Sequence, residues 1–509
     1  MHPTLFVNGR FWPTPGGGEA GALMARGGRI EALYREGEVP ALEGAPVVDL
    51  GGRTAIPGLV DAHCHLVSYG MNRLREADLR GADSLAELGR RLREQAERQG
   101  LRPGDRRWLL GRGFEQDRLA EGRWPTRHDL DEIAPGVPVR ISRICGHALV
   151  ASTAALQAAG LDPAERRHGF PEGVLTENDM GPIFAAVPGP SSSEWLEAAR
   201  RACAEAASVG FTGIHSLMAH EREVRALLDL RAEGPLPVRV VMQLPFSLLE
   251  HAAGLGLRTG FGDEYLRIGA VKLFSDGSLG ARTAALREPY ADEPGTCGQL
   301  LYEPDELTRR VKAVTEAGFQ VCIHAIGDRA MDVTLDAIEA AAPHPFPPRI
   351  EHASMVNSGL VARMRALGVG AAVQPQFAWS DYWTPDRVGP ERARGCYAFR
   401  TLHEAGVPLA GSTDCPVETL DAMTALEQLV HRPPWLPEDG LPLAEALRVF
   451  SEGSYALLGG EGGRLQSGDY ADFVVLEQDP REVAPSELAR IPVARTVVGG
   501  RTVFGQESA

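Results

Sequence analysis

The chain has 509 residues, of which 44% are hydrophobic and 24% are charged, and it carries a formal net charge of −16. These values are typical of a globular protein, and the negative charge argues against nucleic acid or anionic membranes as partners. Seven isolated cysteines, no long apolar segment and no visible signal peptide favour a cytoplasmic protein with reduced thiols.

Both ends of the chain have the pattern of short strands joined by glycine-containing turns. Asn8-Gly9 near the start and Gly499-Gly500 near the end are turns of the hairpin type. Chain termini often lie close together in space. We therefore predict one small β-sandwich domain built from residues 1–53 and 460–509.

Residues 54–70 and 191–459 alternate eight apolar, strand-like runs with amphipathic helical stretches. This alternation predicts an α/β fold, a (β/α)8 TIM barrel. The eight runs are Ala55–His65, Phe211–Leu217, Val238–Leu244, Leu266–Ser275, Gln320–His324, Pro348–His352, Val369–Gln374 and Val407–Asp414. The connection after the first run is too long for a loop, so residues 71–190 are predicted to form an inserted α/β subdomain that caps the barrel mouth.

Residues able to bind a metal recur at the carboxyl ends of the predicted strands, where barrel enzymes place their active sites. His63 and His65 are two positions apart, so on a strand they point to the same face and can share a metal ion. We take four histidines, one lysine and one aspartate as candidate metal ligands: His63, His65, Lys272, His324, His352 and Asp414. Asp414 is also the candidate general base, although a helix cap or a turn residue is its alternative role.

Lys272 lies in the middle of an apolar strand, in a chain that has only one other lysine. Such a lysine can reach solvent or pair with a carboxylate such as Asp276. Burial can instead lower its pKa, and the neutral amine can then add carbon dioxide to form a carbamate, which can bridge two metal ions. With four histidines nearby, we favour the carbamate. His215 is ambiguous and closer to a structural role, and neither Cys64 nor Cys415 is interpreted as a nucleophile.

The motifs around these residues resemble those of the amidohydrolase superfamily. Within it, the chain is similar to the YtcJ-like metal-dependent hydrolases of amidohydrolase family 3, which include N-substituted formamide deformylases. The matching segments are Pro57-Gly-Leu-Val-Asp-Ala-His-Cys-His, Trp124-Pro-Thr-Arg-His-Asp-Leu-Asp, Gly146-His-Ala, Val271-Lys-Leu-Phe-Ser-Asp-Gly, His324-Ala-Ile-Gly-Asp-Arg-Ala, Ile350-Glu-His, Asp414-Cys-Pro-Val and Ala471-Asp-Phe-Val-Val-Leu. One departure is Gly411-Ser-Thr-Asp, where this branch usually has Phe-Gly-Ser-Asp.

The resemblance implies a role for each candidate ligand. His63, His65 and Asp414 would hold the more buried of two divalent metal ions, and His324 and His352 would hold the second. Lys272, as its carbamate, would bridge them. Zinc suits this set of ligands, and manganese, iron or cobalt would also fit. The resemblance also places His147 near the substrate and implies a homodimer.

These features together predict hydrolysis of a linear amide, such as an N-formyl or N-acyl amine. A metal-bridging hydroxide would attack the carbonyl, and Asp414 would accept the proton and deliver it to the leaving amine. Hydrolysis of a cyclic amide, deamination and a non-catalytic barrel remain alternatives. Candidate substrate-binding residues, whose alternative role is loop packing, are His147, Arg112, Trp124, Gln376, Trp379 and Tyr382.

Overall fold

The structure is a computed structural model that describes residues 3–12, 20–35, 38–39, 44–143, 148–166, 171–341 and 343–505. In chain order, its strands are β1 (Thr4–Val7), β2 (Arg10–Phe11), β3 (Ala22–Arg26), β4 (Arg29–Tyr34), β5 (Val47–Asp49), β6 (Thr54–Pro57), β7 (Leu59–Cys64), β8 (Glu76–Asp78), β9 (Leu109–Phe114), β10 (Val139–Arg143), β11 (Ala148–Ala151), β12 (Val174–Thr176), β13 (Phe211–Leu217), β14 (Arg239–Pro245), β15 (Leu266–Phe274), β16 (Val321–Ala325), β17 (Arg349–His352), β18 (Gly370–Val373), β19 (Leu409–Gly411), β20 (Phe473–Leu476), β21 (Val493–Val498) and β22 (Arg501–Phe504).

The α-helices follow the strands in the alternation that the sequence predicts for the barrel. They are α1 (Leu66–Arg75), α2 (Leu85–Arg98), α3 (Arg127–Ile133), α4 (Thr153–Ala158), α5 (Gly181–Ala186), α6 (Ser192–Ser208), α7 (Glu221–Glu233), α8 (Leu249–Gly254), α9 (Pro304–Glu316), α10 (Asp328–Glu339), α11 (Ser358–Leu367), α12 (Phe377–Ser380), α13 (Thr384–Val388), α14 (Pro390–Ala393), α15 (Phe399–Glu404), α16 (Ala422–Val430), α17 (Leu443–Phe450) and α18 (Glu452–Ala456). The chain divides into two units, one of residues 1–67 and 199–509 and the other of residues 68–198.

Strands β7 and β13–β19 form an eight-stranded sheet in the order β19-β18-β17-β16-β15-β14-β13-β7, and every neighbouring pair is parallel. Nearly all of their residues are buried, as expected for parallel strands that are covered on both faces. The predicted (β/α)8 barrel is confirmed.

Hydrogen bonds between the carboxyl-terminal part of β7 and the segment that follows β19 bring the sheet close to a closed barrel. Asp414 donates its backbone N–H to His63 at 2.8 Å, and His65 donates to the Cys415 carbonyl at 2.7 Å. The buried carboxyl group of Asp61 accepts from the backbone N–H of Thr413 at 3.1 Å and from its hydroxyl at 2.5 Å. Closure therefore occurs at the same end of the barrel as the candidate metal ligands.

The predicted first barrel strand, Ala55–His65, is wrong in extent because it consists of two strands in different sheets. Residues Thr54–Pro57 pair antiparallel with β20, whereas Leu59–Cys64 pair with β13 in the barrel. Gly58 separates the two strands. A Cβ atom there would lie 2.3 Å from the Thr212 hydroxyl oxygen, so only glycine fits.

The chain termini build two further sheets, of order β4-β3-β1-β5 and β2-β6-β20-β21-β22. They share one apolar core, in which Phe473 makes edge-to-face contacts with Phe6 and Phe11 at centroid distances of 4.9 and 5.7 Å. The predicted β-sandwich is confirmed. The division of the chain into three domains at residues 53, 70, 190 and 460 stays a prediction.

Residues 68–198 form the predicted inserted α/β unit. Its five strands lie in the order β12-β11-β10-β9-β8, over a core that includes Leu109, Phe114 and Ile141. Helix α3 begins with a capping box, in which the Thr126 side chain accepts from the Asp129 backbone and Asp129 accepts from the Thr126 backbone.

Candidate metal centre

Three predicted ligands meet at the carboxyl ends of β7 and β19. Asp414 Oδ1 lies 3.2 Å from His63 Nε2 and 3.4 Å from His65 Nε2. All three ligand atoms lie within 4.8 Å of one another. His63 and Asp414 are buried, whereas His65 is about one-third exposed, so one side of this group faces open space.

The other two predicted histidines continue this group. The His352 ring lies 5.0 Å from that of His63 and 4.5 Å from that of His324, between ring centroids. The strands that carry them, β16 and β17, are neighbours in the barrel. The structure therefore brings four histidines and one aspartate from four strand ends into one contiguous cluster.

Two members of the cluster have unusual backbone conformations. His352 has φ 75° and Asp414 has φ 56°, both in the left-handed region that residues other than glycine rarely adopt. Strict alternation along β17 would point Glu351 and His352 to opposite faces, and the turn at His352 ends that alternation. Conformations of this kind cost about 1–3 kcal/mol each and cluster at functional sites.

Lys272 is buried on β15, and its Nζ lies 4.8 Å from the centre of the Phe274 ring. Burial lowers the pKa of its ammonium group, and the negative charges of Glu351 and Asp414 oppose that shift. The alternative partner, Asp276, instead accepts backbone N–H groups of Ala285, Ile326 and Gly327. A buried lysine with a lowered pKa has the property that carbamate formation requires.

Two buried charged residues next to the cluster were not identified from the sequence. Glu351 accepts a hydrogen bond from His63 Nδ1. Arg349 binds Glu351 with two nitrogens, at 2.6 and 2.9 Å, and both side chains are fully buried. The signal in the sequence was a pair of charges two positions apart within a predicted barrel strand.

His352 and His324 each have one ring nitrogen with a partner that fixes the orientation of the ring. His352 Nδ1 lies 2.7 Å from Gln374 Oε1, and the Gln374 amide donates to the Ser412 hydroxyl at 2.9 Å. His324 Nε2 lies 2.9 Å from the Gly277 carbonyl. Carbonyl partners require N–H on those nitrogens, which leaves His352 Nε2 and His324 Nδ1 as acceptors available to a metal.

The protonation states of the side chains in this cluster favour the binding of a cation. Burial lowers the pKa of His352 well below its ordinary value and that of His324 to about 4, so both rings are neutral at pH 7. Burial would raise the pKa of Asp414, but the charge of His63 and hydrogen bonds from His63 and His65 hold it well below its ordinary value. Burial and Lys272 would lower the pKa of His63, but Asp414 and Glu351 raise it.

These donors fit a divalent metal ion such as zinc. Neutral imidazole nitrogens and a carboxylate oxygen are its ordinary ligands, and the second ring nitrogen of each buried histidine is engaged by another group. The two carboxylates that raise the pKa of His63 would equally stabilise a dication. Three ligand atoms already lie at the mutual spacing of one coordination sphere.

The predicted substrate-binding residues belong to both units of the chain. Gln376 is buried in the unit of residues 1–67 and 199–509, which we call the barrel unit. Its amide donates to Thr419 at 2.8 Å, while its own carbonyl oxygen has no partner in the described chain. Arg112 and Trp124 belong to the unit of residues 68–198. There Arg112 lies 4.0 Å from Glu76, and Trp124 packs edge-on against Phe114. His147 lies outside the described residues. The roles of all four stay predictions.

The remaining sequence candidates have structural partners. Trp379 donates to the His431 carbonyl at 3.2 Å, and Tyr382 is exposed. His215 accepts a hydrogen bond from Arg349 at 3.0 Å. Cys64 is buried beside the Cys415 carbonyl, and burial raises the pKa of its thiol well above the ordinary value. This thiol is therefore not a nucleophile at neutral pH.

Comparison with known proteins gives consistent results over almost the whole chain. A model of the amidohydrolase family matches residues 46–504. The Bacillus subtilis (strain 168) protein YtcJ, which is named as an amidohydrolase, is 32% identical, and the match covers 96% of this chain and 98% of that protein. The N-substituted formamide deformylase of Arthrobacter pascens is 28% identical, with 94% of each chain covered.

A solved structure shares both the fold and much of the sequence. The crystal structure of an uncharacterized metal-dependent hydrolase from Pyrococcus furiosus superposes with a TM-score of 0.81 at 33% identity, and the match covers 94% of this chain and 99% of that one. In the described part of the chain, no helix has both the length and the apolar character needed to cross a membrane.

Proposed function

Because the chain belongs to the amidohydrolase family, we propose that it is a metal-dependent hydrolase of linear amides of the N-formyl or N-acyl amine type. One observation carries the proposal: His63, His65 and Asp414 present three ligand atoms within 4.8 Å of one another, with His324 and His352 beside them. The deformylase resemblance favours a linear amide over a cyclic one.

We assign the metal-binding role to His63, His65, Lys272, His324, His352 and Asp414, and we propose two ions, with zinc preferred. Divalent ions bound there would lower the pKa of water and polarise a substrate carbonyl. The Lys272 amine, favoured in its neutral form by burial, would react with carbon dioxide; the new N–C bond forms as the nitrogen loses a proton, which leaves an anionic carbamate.

Asp414 would move the proton during hydrolysis. Its carboxyl group is ionised at neutral pH, so it can accept a proton from the attacking water. It would then deliver that proton to the nitrogen of the departing amine, since both events take place at the same open side of the cluster. Gln376, Arg112, Trp124 and His147 would contact the rest of the substrate.

The proposal is tested by metal content per chain, measured by plasma mass spectrometry on protein prepared with bicarbonate and without chelator. We expect close to two zinc-like ions per chain and a clear loss in Lys272→Ala. Lys312→Ala is the matched control, because Lys312 is the only other lysine and is exposed on α9. Carbon-13 NMR with labelled bicarbonate should give a carbamate signal that Lys272→Ala lacks. N-formyl and N-acyl amines are then screened as substrates.

Other results would favour other functions. A single ion that Lys272→Ala leaves in place would rule out the bridging carbamate and favour a deaminase or a cyclic amidohydrolase. No metal after reconstitution would favour a non-catalytic barrel. We also propose a cytoplasmic location, which is consistent with the absence of disulfides among the six described cysteines.

A further inference from the structure

A small cavity lies inside the barrel unit, near the amino-terminal ends of β13–β15 and separate from the candidate metal centre. Its volume is about 30 Å³, and its lining includes His215, Arg267, Ser454 and Tyr455. The strand register places His215 of β13 level with Val241 of β14, and Val241 level with Arg267 of β15. His215 and Arg267 therefore lie in one layer of the barrel interior.

The ring nitrogen of His215 that does not contact Arg349 is a hydrogen-bond donor. Arg349 can only donate, so the contact of 3.0 Å between its Nη1 and His215 Nδ1 makes Nδ1 the acceptor. The ring proton of the neutral imidazole is then on Nε2. That N–H makes no hydrogen bond to the described residues, although only 2% of His215 is exposed.

Arg267 brings an unpaired positive charge to the same cavity. Its guanidinium group forms no ion pair or hydrogen bond with the described residues, although the residue is partly buried. Its charge is close enough to help burial and Arg349 lower the pKa of His215 well below the ordinary value. Partial removal of a guanidinium group from water without a partner has a cost, and an anion would offset it.

Ser454 supplies a third donor without a partner. Its hydroxyl is buried, with 1% of the residue exposed, and it makes no hydrogen bond to the described residues. Three unpaired donors on one cavity, of which one is a cation, are what a small anion requires.

The carboxylates at the cavity do not supply the missing acceptor. Asp472 also lines it, but its oxygens accept from Arg239 at 2.6 and 3.0 Å and from the Gly499 backbone N–H at 2.7 Å. Glu264 lies at the exposed edge and forms no ion pair with Arg267. Neither carboxylate therefore serves as the acceptor for Arg267, and the donors of His215 and Ser454 face the same cavity.

We propose that this cavity binds one small monovalent anion, of the size of chloride, through Arg267, His215 Nε2–H and the Ser454 hydroxyl. The volume is compatible with this choice, because a cavity of about 30 Å³ has room for a small ion. The inference does not depend on the proposed function.

Bromide gives a direct test in the full-length protein. Crystals grown in sodium bromide and measured at the bromine absorption edge should show an anomalous peak within the cavity, beside Arg267. In solution, replacing sodium gluconate by sodium chloride at constant ionic strength should raise the midpoint of thermal unfolding by about 2 °C in the wild type, because gluconate is too large to enter.

The matched variants are Arg267→Met and Arg222→Met, since Arg222 is an exposed arginine on α7. We expect Arg267→Met to lose the chloride effect and Arg222→Met to keep it. Halide bound at the metal-binding side chains would leave the chloride effect intact in Arg267→Met, and that result would overturn the proposal. Two waters in the cavity without an anomalous peak would also overturn it, and this second measurement needs no variant to fold.

Discussion

His63 and Glu351 are joined by a hydrogen bond from ring Nδ1 to carboxylate, although they lie 288 residues apart and on strands that are not neighbours in the barrel. Arg349 holds the same carboxylate from the other side. Burial would raise the pKa of Glu351, but Arg349 and His63 keep it well below the ordinary value. In the neutral ring, the carboxylate therefore keeps the His63 proton on Nδ1, which makes Nε2 available as a candidate metal ligand.

Glu351→Gln should weaken metal binding without removing a ligand. The neutral amide cannot stabilise positive charge on His63, so we expect the zinc affinity to fall about 10–100-fold, as for other carboxylates behind metal-binding histidines. Competition with a chromophoric chelator measures it. Glu316→Gln, an exposed change on α9, serves as the control. Equal affinities in Glu351→Gln and the wild type would show that Glu351 only fills space.

Asp414→Asn should reduce turnover more than metal content. The amide oxygen can still contact a metal, but it cannot accept a proton, and general acid–base groups contribute roughly 10²–10⁴-fold to rate. We expect kcat for the amide found by screening to fall within that range at saturating zinc. Asp421→Asn, which alters the cap of α16, is the control. An unchanged kcat in Asp414→Asn would move the proton-transfer role to another residue.

The ion pair of Arg239 and Asp472 should matter for stability. Arg239 binds both carboxylate oxygens, and the two side chains are only 9% and 8% exposed. Asp472→Ala leaves a buried guanidinium group without its anion, so we expect a loss of about 3–5 kcal/mol in the free energy of unfolding. Asp229→Ala breaks an exposed pair with Arg225 and should cost about 0–1 kcal/mol. Chemical denaturation compares them, and similar losses would contradict the prediction.

Asp439 should make stability depend on pH between about 4 and 6. Burial raises its pKa from 3.8 to about 6, although Arg432 and backbone N–H groups of Phe399 and Arg400 oppose the shift. A folded-state pKa above the unfolded value gives stability that is present below pH 3.8 and is lost as pH rises toward 6. The difference corresponds to roughly 3 kcal/mol.

Asp439→Asn mimics the protonated form, so it should lack this contribution to the pH dependence. The test measures the free energy of unfolding at pH 4 and at pH 6 for the wild type and for Asp439→Asn. The difference between the two pH values is then compared between the two proteins. All other titrating groups are common to both proteins, so they cancel in this comparison. If both proteins show the same change, the pKa of Asp439 is not raised on folding.

The barrel could be predicted because its strands are buried on both faces and appear as continuous apolar runs with polar ends. The same property explains the error at Ala55–His65. An apolar run does not show where one strand stops and the next begins, and only the contact between Gly58 and Thr212 in three dimensions separates the two sheets.

The candidate metal ligands could be predicted for a related reason, since His63, His324, His352 and Asp414 each stand at a strand end. Arg349 and Glu351 could not. Two charges in a strand usually indicate a solvated face, and their burial follows from barrel closure, which brings residues from distant parts of the chain around them. The proposed role of Arg267 likewise depends on residues from other strands that line the same cavity.

The closure of the barrel has a consequence for synthesis on the ribosome. The hydrogen bonds that Thr413 donates to Asp61 and that Cys64 donates to Cys415 span 352 and 351 residues. A nascent chain that ends before residue 413 therefore carries His63 and His65 on the unpaired edge of an open sheet, where aggregation is a hazard. The ability to retain metal would then report that translation has passed this point and that the last strand has docked.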